Sequence, residues 1–194
     1  MLSTSLQYAA QSRDDVNARG ERISRRSAVA TGSSTQLTRQ IGEHLVAAEL
    51  GRRGFFAAPF AGNVPDFDLL AADPSGRTVP VQVKAIQGAS WQFDVGKYLD
   101  IEFVSVSKEQ RIRGKKVLLN PHIVCVFVRL GKDRDDDVFY IFPITELQEF
   151  FFKNYKDCHR PKNWEATHGA IWPKDLPERY KDNWDILKKA LERQ

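Results

Sequence analysis

The chain has 194 residues, 42% hydrophobic and 28% charged, with a formal net charge of +4, which suits one globular domain with a core of its own. No run of about 18 apolar residues occurs, so no transmembrane helix and no membrane partner is expected; the N-terminus, MLSTSLQYAAQSRDD, lacks the basic and long apolar segments of a secretory signal. The sequence pI of about 9.1 is mildly basic and permits, without establishing, contact with nucleic acid.

Residues 1–34 are rich in Ser, Thr, Gln, Ala and Arg and carry few large apolar groups. Such a stretch buries too little surface to offset its conformational entropy, so it reads as a mobile arm, and residues 35–194 as the folded domain. The arm's Arg13, Arg19, Arg22, Arg25 and Arg26 are diluted by Asp14, Asp15 and Glu21. From Ser34 to Arg53 the sequence reads as a helix. Leu37, Ile41, Leu45 and Ala48 form one apolar stripe, Gly51 and Gly54 stop it, and Arg52 and Arg53 suit its negative C-terminal end.

Two strands follow, Phe67 to Ala72 and Thr78 to Ile86, joined by the turn Asp73-Pro74-Ser75-Gly76. They read as an antiparallel hairpin, with Pro80 marking a bulge or irregular start. Between Trp91 and Leu119 the pattern gives a strand near Trp91–Phe93 and a short helix near Ser107–Arg111. HIVCVFVRL, from His122 to Leu130, is the near-continuous apolar run of a strand buried on both faces. After a charged turn, Val138 to Phe142 is a further strand, ended by Pro143. Thr145 with Gln148 matches a capping box opening a helix through Tyr155. A last helix spans Tyr180 to Leu191, with Tyr180, Trp184, Leu187 and Leu191 on one face. This order argues for an α/β fold with a central mixed sheet flanked by helices.

The hairpin carries the chemistry. Along its second strand Val81, Val83 and Ala85 point one way, and Gln82 and Lys84 the other. An antiparallel partner opening with Asp66-Phe67-Asp68 brings a carboxylate to that Gln82/Lys84 end. On the helix, Glu43 has Val46, Ala47 and Leu50 as neighbours three, four and seven positions on. A carboxylate on an apolar row is costly without a partner, and a metal ion or Lys84 would supply one. Glu49 groups with Thr38 and Gly42 and reads as an ordinary surface acid.

GEHLVAAELGRRGF, PDFDLLAA and VPVQVKA, in that order, resemble the core of the PD-(D/E)XK phosphodiesterase superfamily, closest in style to archaeal-type Holliday-junction resolvases and to Q-x-K intron-type and restriction-like members. The resemblance implies a restriction-endonuclease-like fold and a DNA endonuclease dependent on Mg2+ or Mn2+. It places the helical glutamate on Glu43, the metal-binding aspartate on Asp68, the second metal position on Gln82 and the lysine on Lys84. Asp66 competes with Asp68, because it completes a literal Pro-Asp pair with Pro65. Gln82 departs from the commoner Glu or Asp; an amide oxygen still suits magnesium, but one negative charge is lost and metal binding should weaken. In the implied roles Asp68 and Gln82 ligate the metal, with the Val83 carbonyl a further candidate. Lys84 orients or deprotonates the water, and Glu43 holds a metal-bound water or a second metal.

Lys108, Arg111, Arg113, Lys115 and Lys116 form the densest basic patch and the best candidate for phosphate-backbone contact, a solvated loop being the alternative. Trp91, Phe93, Tyr98 and Phe103 read as core sooner than as base-stacking residues, and Phe150, Phe151, Phe152, Trp164, Trp172 and Trp184 as packing. Cys158, His159 and His168 fall short of a four-ligand zinc site; His44 and His122 read as packing or surface. Cys125 and Cys158 have no framework spacing and read as reduced thiols of a cytoplasmic protein. The partner expected is DNA, whose two strands would suit a homodimer. Two alternatives stay open: a nuclease fold that binds nucleic acid without turnover, and a structural domain if Glu43, Asp68 and Lys84 stand apart.

Overall fold

A computed structural model gives the protein's structure over residues 32–60, 66–155, 158–159 and 165–192. Helix α1 (Gly32–Arg52) is followed by strands β1 (Phe56–Pro59), β2 (Leu69–Ala72), β3 (Thr78–Ile86), β4 (Trp91–Asp94), β5 (Leu99–Val104), β6 (Glu109–Lys115), β7 (Val124–Arg129) and β8 (Val138–Pro143). Helix α2 (Ile144–Asn154), strands β9 (Cys158–His159) and β10 (His168–Ile171) and helix α3 (Asp185–Glu192) complete the described chain. The central sheet has the order β1-β2-β3-β7-β8. β3 and β7 are parallel and the other neighbours antiparallel, so the sheet is mixed. Between β3 and β7 the chain leaves the sheet to build the β5–β6 hairpin, which pairs with β9, and β4, which pairs with β10.

Side-chain alternation divides the core into two layers. On one face Val79, Val81 and Val83 of β3, Val124, Val126 and Val128 of β7 and Ile141 of β8 pack under α1 and α3 through Val46, Leu50, Leu187 and Leu191. On the other, Cys125, Phe127, Tyr140 and Phe142 pack under Trp91, Phe93, Tyr98 and the Ile144, Leu147 and Phe151 side of α2. β7 is buried on both faces, which is why its sequence has no polar alternation. Each fully buried Leu, Val or Phe contributes roughly 1.5–3 kcal/mol, so the two layers supply the bulk of the stability. Among the described residues no helix is long and apolar enough to cross a membrane.

Several expectations are corrected. Helix α1 begins at Gly32, inside the segment expected to be an arm; the arm's five arginines, Pro65, Trp164 and the Cys158 and His159 side chains lie outside the described residues. The buried row of α1 is Gly42, Val46 and Leu50, whereas Leu37 is 58% exposed and Ala48 is exposed. Glycine scores poorly for hydrophobicity yet lets the helix approach most closely: a Cβ on Gly42 would lie 2.4 Å from the Cβ of Ala85. β2 starts at Leu69, and the edge strand β1, which pairs with it, has no strong sequence signal. Pro80 causes no irregularity; β7 joins β3 only from Val81 onward, so Pro80 stands one residue before that ladder.

The short helix expected near Ser107–Arg111 is absent. Lys108 adopts a left-handed φ of 53° in a turn, and the residues after it form β6. There Gln110 is fully buried, accepting from Tyr155 Oη (2.7 Å) and donating to the Ala166 carbonyl (2.9 Å). The Thr145/Gln148 capping box does not form, because the N-cap of α2 is Pro143, two residues before Thr145. Gln148 is instead buried, donating to the carbonyls of Tyr98 (2.9 Å) and Lys116 (2.7 Å). Finally, α3 starts at Asp185; Tyr180 sits in the short 3-10 turn Glu178–Tyr180 and packs on Phe142, across the sheet from Trp184, Leu187 and Leu191.

Candidate active site

The β2–β3 hairpin pairs Leu69 with Val81, which sets Asp68 opposite the middle of β3. The Asp68 amide donates to the Val81 carbonyl (2.9 Å), and its side-chain Oδ2 accepts from the Val83 amide (2.8 Å). The carboxylate is thereby fixed on the backbone between Gln82 and Lys84. Those two residues share the sheet face of their β7 partners Cys125 and Phe127. The Lys84 ammonium lies 5.1 Å from the centroid of the Phe93 ring, and its backbone carbonyl accepts from the Trp91 indole (2.9 Å). Gln82 Oε1 lies 3.9 Å from the Cys125 Sγ, a weak donor.

The electrostatics follow the packing. Burial pushes the Lys84 ammonium below its ordinary range; the Asp68 carboxylate opposes that shift, while the like charges of Lys97 and Arg39 add to it. Complete burial pushes the Cys125 thiol up to about 12, so it remains a protonated core residue. Burial also raises the Tyr98 hydroxyl.

A cavity of about 310 Å³ opens over this face, lined by Asp66, Gln82, Lys84, Gln92, Asp94 and Lys97 among others. Val117 and Leu119 stand at its rim, 92% and 94% exposed. Asp66, in a left-handed conformation with φ 74°, lines the cavity; Asp68 lies behind the lining. Gln92, Asp94 and Lys97 are additions that the motif does not name; Gln92 and Asp94 belong to β4 and Lys97 to the turn after it.

The structure gathers Asp66, Asp68, Gln82 and Lys84 about the middle of β3. Glu43 lies on α1, the helix that packs on the Val81/Val83 face of the sheet. Its side chain is 13% exposed and is paired with Arg39 one helical turn earlier (3.1 Å), which supplies the partner that an apolar row demands. Glu49 pairs with Arg52 and Arg53, as a surface acid does.

The oxygen donors that a divalent cation would meet here are two carboxylates and one amide oxygen. Among the described residues no three His, Cys, Asp or Glu side chains gather as a metal-holding group. Such a set fits a magnesium or manganese ion completed by water and phosphate, and does not fit an all-protein cage.

The basic patch lies along β6 and the turn before it. Arg111 pairs with Glu109 (3.2 Å), Arg113 with Glu102, and Lys115 with Glu149 (2.9 Å). Lys116 donates to the Gly96 carbonyl (2.6 Å), and Lys108 is exposed in the turn. Trp91, Phe93 and Tyr98 are buried, whereas Phe103, Phe152 and Trp172 are about two-fifths exposed.

No family model matches the chain, and no curated protein matches it. Among solved structures, a bacterial homing endonuclease, I-Ssp6803I, is similar over 83% of this chain and 99% of that one, with a TM-score of 0.47 and 15% identity.

Proposed function

We propose that this chain is a metal-dependent nuclease that hydrolyses DNA phosphodiester bonds on the Gln82/Lys84 face of β3, within a restriction-endonuclease-like fold. The observation that carries the reading is the Asp68 Oδ2 to Val83 amide bond, which clamps a carboxylate between an amide oxygen and a half-buried ammonium. Hydrolysing a phosphodiester needs an activated water and relief of the charge that builds on the phosphoryl oxygens.

Asp68 and Gln82 would hold the cation, with Asp66 facing the same space; when bound, a magnesium or manganese ion lowers the pKa of a water and offsets phosphate charge. Lys84 keeps its proton at Nζ close to the developing charge and donates to a phosphoryl oxygen. The Phe93 ring and the Trp91 indole hold that lysine and its backbone in place. Lys108, Arg111, Arg113, Lys115 and Lys116 lie along the β5–β6 hairpin as phosphate-backbone contacts. Exposed ion pairs such as those of Arg111 and Arg113 are worth at most about 1 kcal/mol, so a phosphate can replace the carboxylate at little cost.

A second reading has its own support. The neutral Gln82 leaves less negative charge around a cation, and the Glu43 carboxylate is already paired with Arg39, which favours a nuclease fold that binds DNA with little turnover. Incubation of the protein with plasmid, branched and single-stranded DNA, with and without magnesium or manganese, separates the two. Cutting that requires the metal is expected; binding without cutting would select the second reading, and neither binding nor cutting would overturn both.

A further inference from the structure

The cavity over β3 holds two lysines, and only one belongs to the hairpin motif. Lys84 rises from the sheet, while Lys97 ends the short 3-10 turn Val95–Lys97 that follows β4. The backbone under Lys97 is tied down from several sides. Asp94 Oδ1 accepts from the Gly96 amide (3.0 Å) and from the Thr167 hydroxyl. The Val95 amide donates to the Thr167 carbonyl (2.8 Å) and the Tyr98 amide to the Val95 carbonyl (2.9 Å). The Gly96 carbonyl accepts from Lys116 Nζ (2.6 Å), and the Tyr98 carbonyl from Lys116 and Gln148 (both 2.9 Å).

Against that background the Lys97 side chain is conspicuous for what it lacks. Among the described residues it has no hydrogen bond and no ion pair, although Asp94 is only three residues away; Asp94 Oδ1 caps the turn. Lys84, its companion in the cavity, likewise has no acid within ion-pair distance among the described residues and rests on an aromatic ring. Lys84 and Lys97 line one concave space together with Asp66 and Asp94, and a phosphate oxygen placed between the two ammonium groups would be attracted by both. A rigid support for such a group is what anion recognition needs, because little conformational freedom remains to be lost on binding.

We infer that Lys97 is a substrate-binding residue of this site, holding a backbone phosphate of the nucleic acid in the cavity between itself and Lys84. This rests on the nuclease reading for its substrate class. Lys97 acts on phosphate alone, so it adds affinity to every sequence equally and leaves base preference untouched.

The test uses the full chain and a short fluorescent DNA duplex, with affinity read by anisotropy over a series of salt concentrations. Lys97→Ala is expected to weaken binding about tenfold, the size of one charge-assisted contact, and to reduce the slope of log affinity against log salt by about one. Lys97→Arg restores most of both. Lys188→Ala, which removes an equal charge from the outer side of α3 on the opposite face, leaves both as in the parent protein. Parental affinity and slope in Lys97→Ala, or an equal loss in Lys188→Ala, would overturn the assignment. The readout does not need turnover: a parent protein that binds but never cuts removes the nuclease reading and still tests Lys97, while one that does not bind DNA removes both.

Discussion

Gly42 sets how closely α1 lies on the sheet. A Cβ at this position would stand 2.4 Å from the Ala85 Cβ and 3.6 Å from Val83 Cγ1, so a larger residue lifts the helix off the strand that carries Gln82 and Lys84. Gly42→Val is expected to cost about 1–3 kcal/mol, more than the roughly 0.5 kcal/mol returned by leaving glycine in a helix interior. Urea unfolding checks this, and Ala85→Gly on the same chain should recover part of the loss by opening space opposite. A Gly42→Val protein as stable as its parent would mean that the helix does not press on β3. The same position explains why the sequence misled: hydrophobicity picks out Leu37, Ile41, Leu45 and Ala48, and a glycine that allows close approach has no hydrophobic signal at all.

At the scale of the element, the β2–β3 hairpin sets the register that brings Asp68 beside Val83, and its turn is stapled by Asp73. Asp73 Oδ1 accepts from the Ser75 hydroxyl (2.7 Å) and from the amides of Ser75 (2.9 Å) and Arg77 (3.0 Å), while Oδ2 faces the Arg77 guanidinium (2.7 Å). The Ser75 hydroxyl, helped by Arg77, holds this carboxyl down at about 2, from an ordinary value of 3.8. A group lowered on folding stabilises the protein above its unfolded pKa and loses that contribution as pH falls through the folded one. The staple is therefore complete above about pH 4 and lost between about 3.8 and about 2. Acid unfolding followed by circular dichroism should show a component in that window which Asp73→Asn lacks; identical acid profiles would refute the staple. This hairpin was legible because turn residues and alternation agree. The β5–β6 hairpin was not, since its inward side includes a buried glutamine, Gln110, in place of an apolar residue. Gln148 misled in the same way: its fit to a capping motif hid its use as a buried donor to two loop carbonyls.

Over the whole molecule, the mixed sheet separates two faces. α1 and α3 seal the first; the second carries Gln82, Lys84 and the cavity. The strand half of the site could be read from sequence, because alternation along β3 and the antiparallel turn together determine what lies next to what. On the helix, the pairing of Glu43 with Arg39 one turn earlier was not read from sequence, where the charge partner was sought in a metal ion or Lys84. Lys97 was invisible for a different reason, as its place in the cavity depends on hydrogen bonds to Thr167, Lys116 and Gln148 from distant parts of the chain. The central claim is that the Lys84 ammonium serves hydrolysis at this face, and one comparison tests it most directly. DNA cutting in magnesium is measured for the parent protein and for Lys84→Ala, with the fluorescence of the buried Trp91 and Trp184 reporting an unchanged fold. Lys84→Ala is expected to lose at least about 100-fold in cutting; a folded Lys84→Ala protein that cuts at the parental rate would mean that this ammonium has no part in hydrolysis.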